Sequence, residues 1–216
     1  MTADMRILYA DMSPQPPLPP TLRWTWRDHV AGVAAETVAR AWLGPLLGRA
    51  PDEVPMRRDD HGRPRLQPPC HEFDAGWSHS GEGLVVAFGR GLVLGIDLEW
   101  TRPRPNALAL ARRFFATPEA DWLHGLAEPV REASFLRLWC AKEAILKAHG
   151  HGLSFGLARV VFADRGGALV LVACDPALGA PGDWRLHEWS PRPGYRAALA
   201  WRETPCPPLP EDTADA

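Results

Sequence analysis

Residues Gly83–Glu99, GLVVAFGRGLVLGIDLE, form an aliphatic, β-rich run broken only at Gly89-Arg90-Gly91. Two such arms around a Gly-Arg-Gly step read as a β-hairpin. A chain that carries this run builds a sheet.

The segments around it supply helices. An Ala-rich stretch at about His29–Leu47 carries Val30, Val33, Val38, Trp42 and Leu46 at helical spacing. A Pro- and Arg-rich connector containing Gly62-Arg63-Pro64 leads from it to the hairpin. The same order then recurs. Helical stretches at Ala107–Phe115 and Pro118–Gly125 precede a longer helix at about Pro129–His149, which opens on a proline and stops at Gly150. Strands follow at Arg159–Ala163, Ala168–Cys174, Trp184–Trp189 and Tyr195–Trp201, with a turn at Ser190–Gly194 between the last two. Helix followed by antiparallel strands, twice over, predicts an α+β protein of two similar lobes, each a helix packed on a small antiparallel sheet. The expected division is residues 1–100, residues 101–203, and a mobile Pro-rich tail, 204–216. Pro14–Pro20 is expected to be extended.

Composition narrows the function. The net charge is −2, and no block of basic residues stands out, so no nucleic-acid partner is expected. No apolar run approaches the ~18–20 residues of a membrane helix, and the first residues lack the apolar centre of a secretory signal. Four scattered cysteines without a CxxC pair suit a reducing cytoplasm. Of 24 basic residues only two are lysines, Lys142 and Lys147, and both fall in one short stretch.

Candidate chemistry gathers in three places. Asp97 and Glu99 stand two apart on a strand, so their carboxylates share a face. Mg²⁺ prefers such hard oxygens, although a solvated strand face has the same pattern. Glu143 and Lys147 stand one helical turn apart, either as a surface ion pair or as a third carboxylate with a phosphate-binding lysine. Lys142 points about 100° away from them, where it could reach a substrate from the side. Ser78-His79-Ser80-Gly81 lies just before a strand, as a phosphate contact or as a local turn. His149-Gly150-His151-Gly152 has metal-like spacing but sits at a helix end, where glycine is expected.

In order, the chain shows GRPRL, WSHSG, GIDLEWTRP, RRFF and FLRLWCAKEAILKAHGHGL. This set, spanning about Ala31–Trp201, closely resembles the Sfp-type 4′-phosphopantetheinyl transferases. The resemblance implies two α+β lobes with the active site in the cleft between them. It implies transfer of the phosphopantetheine arm of coenzyme A to a serine of an apo acyl or peptidyl carrier protein, with adenosine 3′,5′-bisphosphate released, as in holo-[acyl-carrier-protein] synthases. It also implies Mg²⁺ on Asp97, Glu99 and Glu143. Lys147 would lie on phosphate, with Lys142 beside it. Arg63, Ser78, His79 and Thr101 would contact coenzyme A, His79 near the 3′-phosphate. Glu143, or a water it holds at the metal, would take the serine proton. Relatives often carry a basic cluster before the first helix, where this chain has only Arg23 and Arg27, with Arg40 in the helix. A partner surface is expected around Phe114–Trp122, and a monomer is expected. Two competing readings are a non-catalytic carrier-binding module of the same fold and a Mg²⁺-dependent phosphoesterase.

Overall fold

The structure, a computed structural model, describes residues 17–205. The tail after 205 and part of the proline stretch before residue 20 lie outside the described residues.

The elements run β1 (Leu22–Asp28), α1 (Ala35–Leu46), β2 (Met56–Arg58), β3 (Pro64–Leu66), β4 (Phe73–Ser80), β5 (Gly83–Arg90), β6 (Leu92–Trp100), α2 (Ala107–Phe114), α3 (Thr117–His124), α4 (Val130–His149), β7 (Val160–Arg165), β8 (Ala168–Cys174), β9 (Arg185–Trp189) and β10 (Tyr195–Glu203). They form two three-stranded antiparallel sheets, β1-β5-β4 and β6-β10-β9, and two ribbons, β2-β3 and β7-β8. The strand order is equivalent in the two sheets: the first strand of each half pairs with its last, and the last with the one before it.

The expected hairpin around Gly89–Gly91 is not formed. β5 bonds to β1 and β4, whereas β6 bonds to β10. The chain changes sheet at Gly91, whose positive φ of 68° suits glycine. Both arms are strands, as expected, but each takes its partners from elsewhere. The second sheet therefore starts at Leu92, ahead of the division expected after residue 100. The true hairpin is β4–β5, closed by Gly81-Glu82 with Ser80 opposite Gly83. Ser78, His79 and Ser80 consequently lie on a strand and not in a turn before one.

The first helix is shorter than expected. Residues 22–28 form β1, where Leu22, Trp24 and Trp26 alternate with polar residues, a period-two signal for a strand. α1 begins only at Ala35, after Gly32 at φ 85°.

α4 is the central element. Its interior carries neither glycine nor proline, and it ends at Gly150 in the left-handed conformation. It is buried on nearly every side because it lies between the β6-β10 sheet and a layer made of α2, α3 and β7. The approach to β6 is very close. A Cβ on Gly95 would stand 2.1 Å from the Ala144 carbonyl oxygen and 2.4 Å from the Ala148 nitrogen. Glycine on the strand and alanines on the helix are what permit this contact.

Aromatic rings join the two sheets. Trp24 packs against Trp189 with ring centres 4.8 Å apart, and Trp26 meets Tyr195 edge-on at 4.8 Å. Beneath them Val85 and Ala87 share one apolar cluster with Leu94, Ile96, Leu98 and Leu199.

Candidate active site

The close packing at Gly95 brings α4 over the end of β6. Alternation along β6 puts Asp97 and Glu99 on one face, and the helical repeat puts Glu143 and Lys147 one turn apart, facing that strand. β4 contributes Ser78 from the other sheet.

The Lys147 ammonium donates to Asp97 Oδ1 at 2.6 Å and to Ser78 Oγ at 2.8 Å. The Ser78 hydroxyl donates to Asp97 Oδ1 at 3.0 Å. Asp97 is only 4 % exposed, so the solvated-face reading fails for it. Nor does the surface ion pair between Glu143 and Lys147 form, since Lys147 is drawn to Asp97 instead. Asp97 Oδ2 is buried without a hydrogen-bond partner. Glu99 bonds to Arg104 at 2.6 Å.

Burial, reinforced by the Asp97 charge, pushes the Glu143 carboxyl up to about 7. Burial and Asp97 also raise Glu99, against the pull of Arg104. Burial works to lower the Lys147 ammonium, but Asp97 and Glu143 outweigh it and the group is raised. Lys147 therefore stays charged at neutral pH, while Glu143 can exchange a proton there.

A cavity of about 210 Å³ opens beside Lys147. Every ionisable side chain lining it is basic: Arg58, His61, Arg63 and Lys147. Trp77 forms one wall, with the Arg58 guanidinium over its ring at 5.5 Å. Arg63 is buried, and its Nη2 donates to Asp74 at 2.5 Å and to the Leu94 carbonyl at 2.8 Å. Its Nη1 is buried and unpartnered. The cavity thus suits a ligand that carries both negative charge and a flat ring.

His79 stacks on His29, ring centres 4.3 Å apart. Burial, His29 and Lys147 hold its imidazole below the usual range. Thr101 is half-buried and its backbone nitrogen donates to the Gly194 carbonyl. Among the described residues neither His79 nor Thr101 hydrogen-bonds to Asp97, Glu99, Glu143 or Lys147, although Lys147 acts on His79 through its charge.

Lys142 is in the wrong place for a cleft residue. It has no exposed surface, and its ammonium bonds to Glu119 at 2.6 Å and to the Leu157 and Val160 carbonyls. Glu119 in turn accepts from the Phe162 and Ala116 nitrogens. The offset of about 100° from Lys147 carries Lys142 into the α3–β7 layer, away from the cavity. The expected contact with coenzyme A is corrected on that ground. Arg58, Arg104 and His29 stand outside every motif, and Trp77 opens the WSHSG run without a role that the sequence assigns; strand pairing and loop packing bring them in.

Among the described residues no three His, Cys, Asp or Glu groups form a ready-made ligand cluster. The donors nevertheless fit a hard divalent cation. Asp97 leaves one oxygen orphaned, and burial together with the Asp97 charge raises the carboxyls of Glu99 and Glu143 beside it. The stacked His149 and His151 turn ring faces to each other, 4.5 Å apart.

Residues 93–200 match the 4′-phosphopantetheinyl transferase superfamily. The 4′-phosphopantetheinyl transferase HetI of Nostoc is 34 % identical over 170 residues, covering 77 % of this chain and 68 % of that one. The chain belongs to the 4′-phosphopantetheinyl transferase superfamily. A putative transferase of Synechocystis is 32 % identical over 171 residues, covering 75 % of this chain and 68 % of its own. Sfp of Bacillus subtilis is 30 % identical over 131 residues, 56 % of this chain and 57 % of that one. The superfamily's activity is phosphopantetheinyl transfer, and the protein is a transferase of this class. No helix among the described residues is long and apolar enough to cross a membrane.

Proposed function

We propose that the protein moves the phosphopantetheine arm of coenzyme A onto a serine of an apo acyl or peptidyl carrier protein and releases adenosine 3′,5′-bisphosphate, acting in the cytoplasm as a monomeric, holo-[acyl-carrier-protein] synthase type of enzyme. The observation that carries this reading is the buried Asp97–Lys147–Ser78 node with Glu143 beside it, next to a cavity whose ionisable lining is all basic and whose wall includes the Trp77 ring.

In this reading the two sheets, with α1 and α4, are two similar lobes around one cleft. The first ends near Arg90 and the second begins at Leu92. Asp97, Glu99 and Glu143 would hold Mg²⁺, which when bound neutralises pyrophosphate charge and polarises the phosphoryl group under attack. Lys147 places a fixed positive charge on the phosphate side. Being already ordered between Ser78 and Asp97, it needs little reorganisation as charge develops. Glu143, or a water it would hold at the metal, would take the serine proton. The basic cavity, with Arg63, takes the nucleotide end of coenzyme A. Ser78, His79 and Thr101 are further candidate contacts, and His79, held neutral by burial, gains a proton more readily once an anion lies beside it.

The test is intact-mass measurement of a panel of apo carrier proteins incubated with the protein, coenzyme A and Mg²⁺. At least one carrier should gain a single phosphopantetheine group, and Asp97→Ala should remove that gain. If no carrier is modified, or if Asp97→Ala retains wild-type activity, the assignment is wrong.

A further inference from the structure

The bond between Glu99 and Arg104 bears on how the acidic group is kept in order. Glu99 and Arg104 are each about four-fifths buried, 2.6 Å apart. Arg104 lies in the irregular segment between β6 and α2, five residues beyond Glu99, in a sequence rich in proline. Its Nε is buried with no partner, and Nη2 is the guanidinium nitrogen that bonds to Glu99. Across the group, Lys147 neutralises Asp97 in the same manner. Two internal cations thus serve two of three neighbouring carboxylates.

We propose that Arg104 is an internal counter-ion for Glu99 that a divalent cation must displace, so that cation affinity is set by competition with this guanidinium. This rests on the reading that Asp97, Glu99 and Glu143 form the cation site. A partly buried guanidinium–carboxylate bond is strong and directional, yet it offers Glu99 a single positive charge. A divalent cation offers two and can be shared with Asp97 Oδ2, the orphaned oxygen on the same strand face. Arg104 therefore keeps the empty group from repelling itself apart and yields Glu99 when the cation enters. Arg104 is a positioning residue in this account. It acts through Glu99.

The test measures binding of Mg²⁺ and Mn²⁺ alone, without coenzyme A, by titration calorimetry and by the cation-induced shift in thermal midpoint. In chelator, Arg104→Gln should melt below wild type, because Glu99 loses its counter-ion. On addition of Mg²⁺ it should gain more in melting temperature than wild type and bind about three- to tenfold more tightly, the size of a partly screened ion pair. The gain should vanish in the Glu99→Gln background. Weaker or unchanged binding in Arg104→Gln would show that Arg104 orients Glu99 toward the cation and does not compete with it. A gain that persists with Glu99→Gln, or no binding by any variant, also overturns the proposal. Carrier modification, measured in parallel, judges the transferase reading independently.

Discussion

Glu143 and Lys142 are neighbours in sequence with opposite fates. Glu143 faces other carboxylates, and its folded-state value near 7 lies above its ordinary 4.5. The sign follows directly. Between these values the unfolded chain ionises first, so this group removes stability as pH rises from about 4.5 to 7 and adds no further loss above that. In chelator, Glu143→Gln should unfold at higher denaturant than wild type at pH 8, by on the order of 2 kcal/mol. The two should converge near pH 4.5, and the variant should be inactive in transfer. Equal pH dependence of the two proteins would refute this account of the site's cost.

Lys142, by contrast, holds a fully buried ion pair with Glu119. Lys142→Met leaves Glu119 charged and alone, which should cost about 3–5 kcal/mol. The double variant Lys142→Met, Glu119→Gln should recover much of that loss in the same denaturation experiment. The KM for coenzyme A should change little in the double variant, and a large rise would return Lys142 to the cleft. At this scale the acidic residues were legible in the sequence, because two acids at i and i+2 on a strand must share a face. Lys142 was not, because its partner Glu119 lies on another helix with no spacing that points to it.

The pairing of β6 with α4 turns these separate residues into one site. Gly95 is the position at which the strand backbone meets the helix backbone. Gly95→Ala inserts a methyl group where no side chain can move aside. The expected loss is about 1–3 kcal/mol of stability, the usual range for overpacking. The displacement of α4 should lower kcat more than the stability loss alone would explain, measured well below the melting temperature. A variant with wild-type kcat would show that Lys147 and Asp97 meet without this contact. Helix positions were readable from apolar spacing and capping glycines, and most strands from β-branched runs. The pairing of strands was not. β5 and β6 are adjacent in sequence and apolar, which fits a hairpin equally well, and only the available edges of β1, β4 and β10 decide otherwise.

Across the whole molecule, aromatic rings close the seam between the two halves, beside an exposed Arg192–Asp28 ion pair at 3.5 Å. Trp24 with Trp189 and Trp26 with Tyr195 close the seam over the shared apolar cluster. The Trp26 ring also lies directly over Gly83 and under Arg192. Trp26→Ala should cost about 2 kcal/mol, somewhat less than a fully buried tryptophan. It should weaken transfer as well, since Ser78 comes from one sheet and Asp97 from the other. Denaturation followed by tryptophan fluorescence and by carrier modification should give the same midpoint, and an undisturbed midpoint would remove the seam from the stability of the site.

The change of sheet at Gly91 has a consequence for the order of assembly during synthesis. The first sheet is complete once Arg90 has left the ribosome, because β1, β4 and β5 are all present by then. N-terminal units generally fold first, so that half can close early. β6, which bears Asp97 and Glu99, leaves next and has no strand to pair with until β10 has been made about a hundred residues later. The acidic strand is thus the last of the long strands to find its neighbour. In the proposed function, the strand that would hold the cation therefore waits unpaired while α2, α3, α4 and β7–β9 are made.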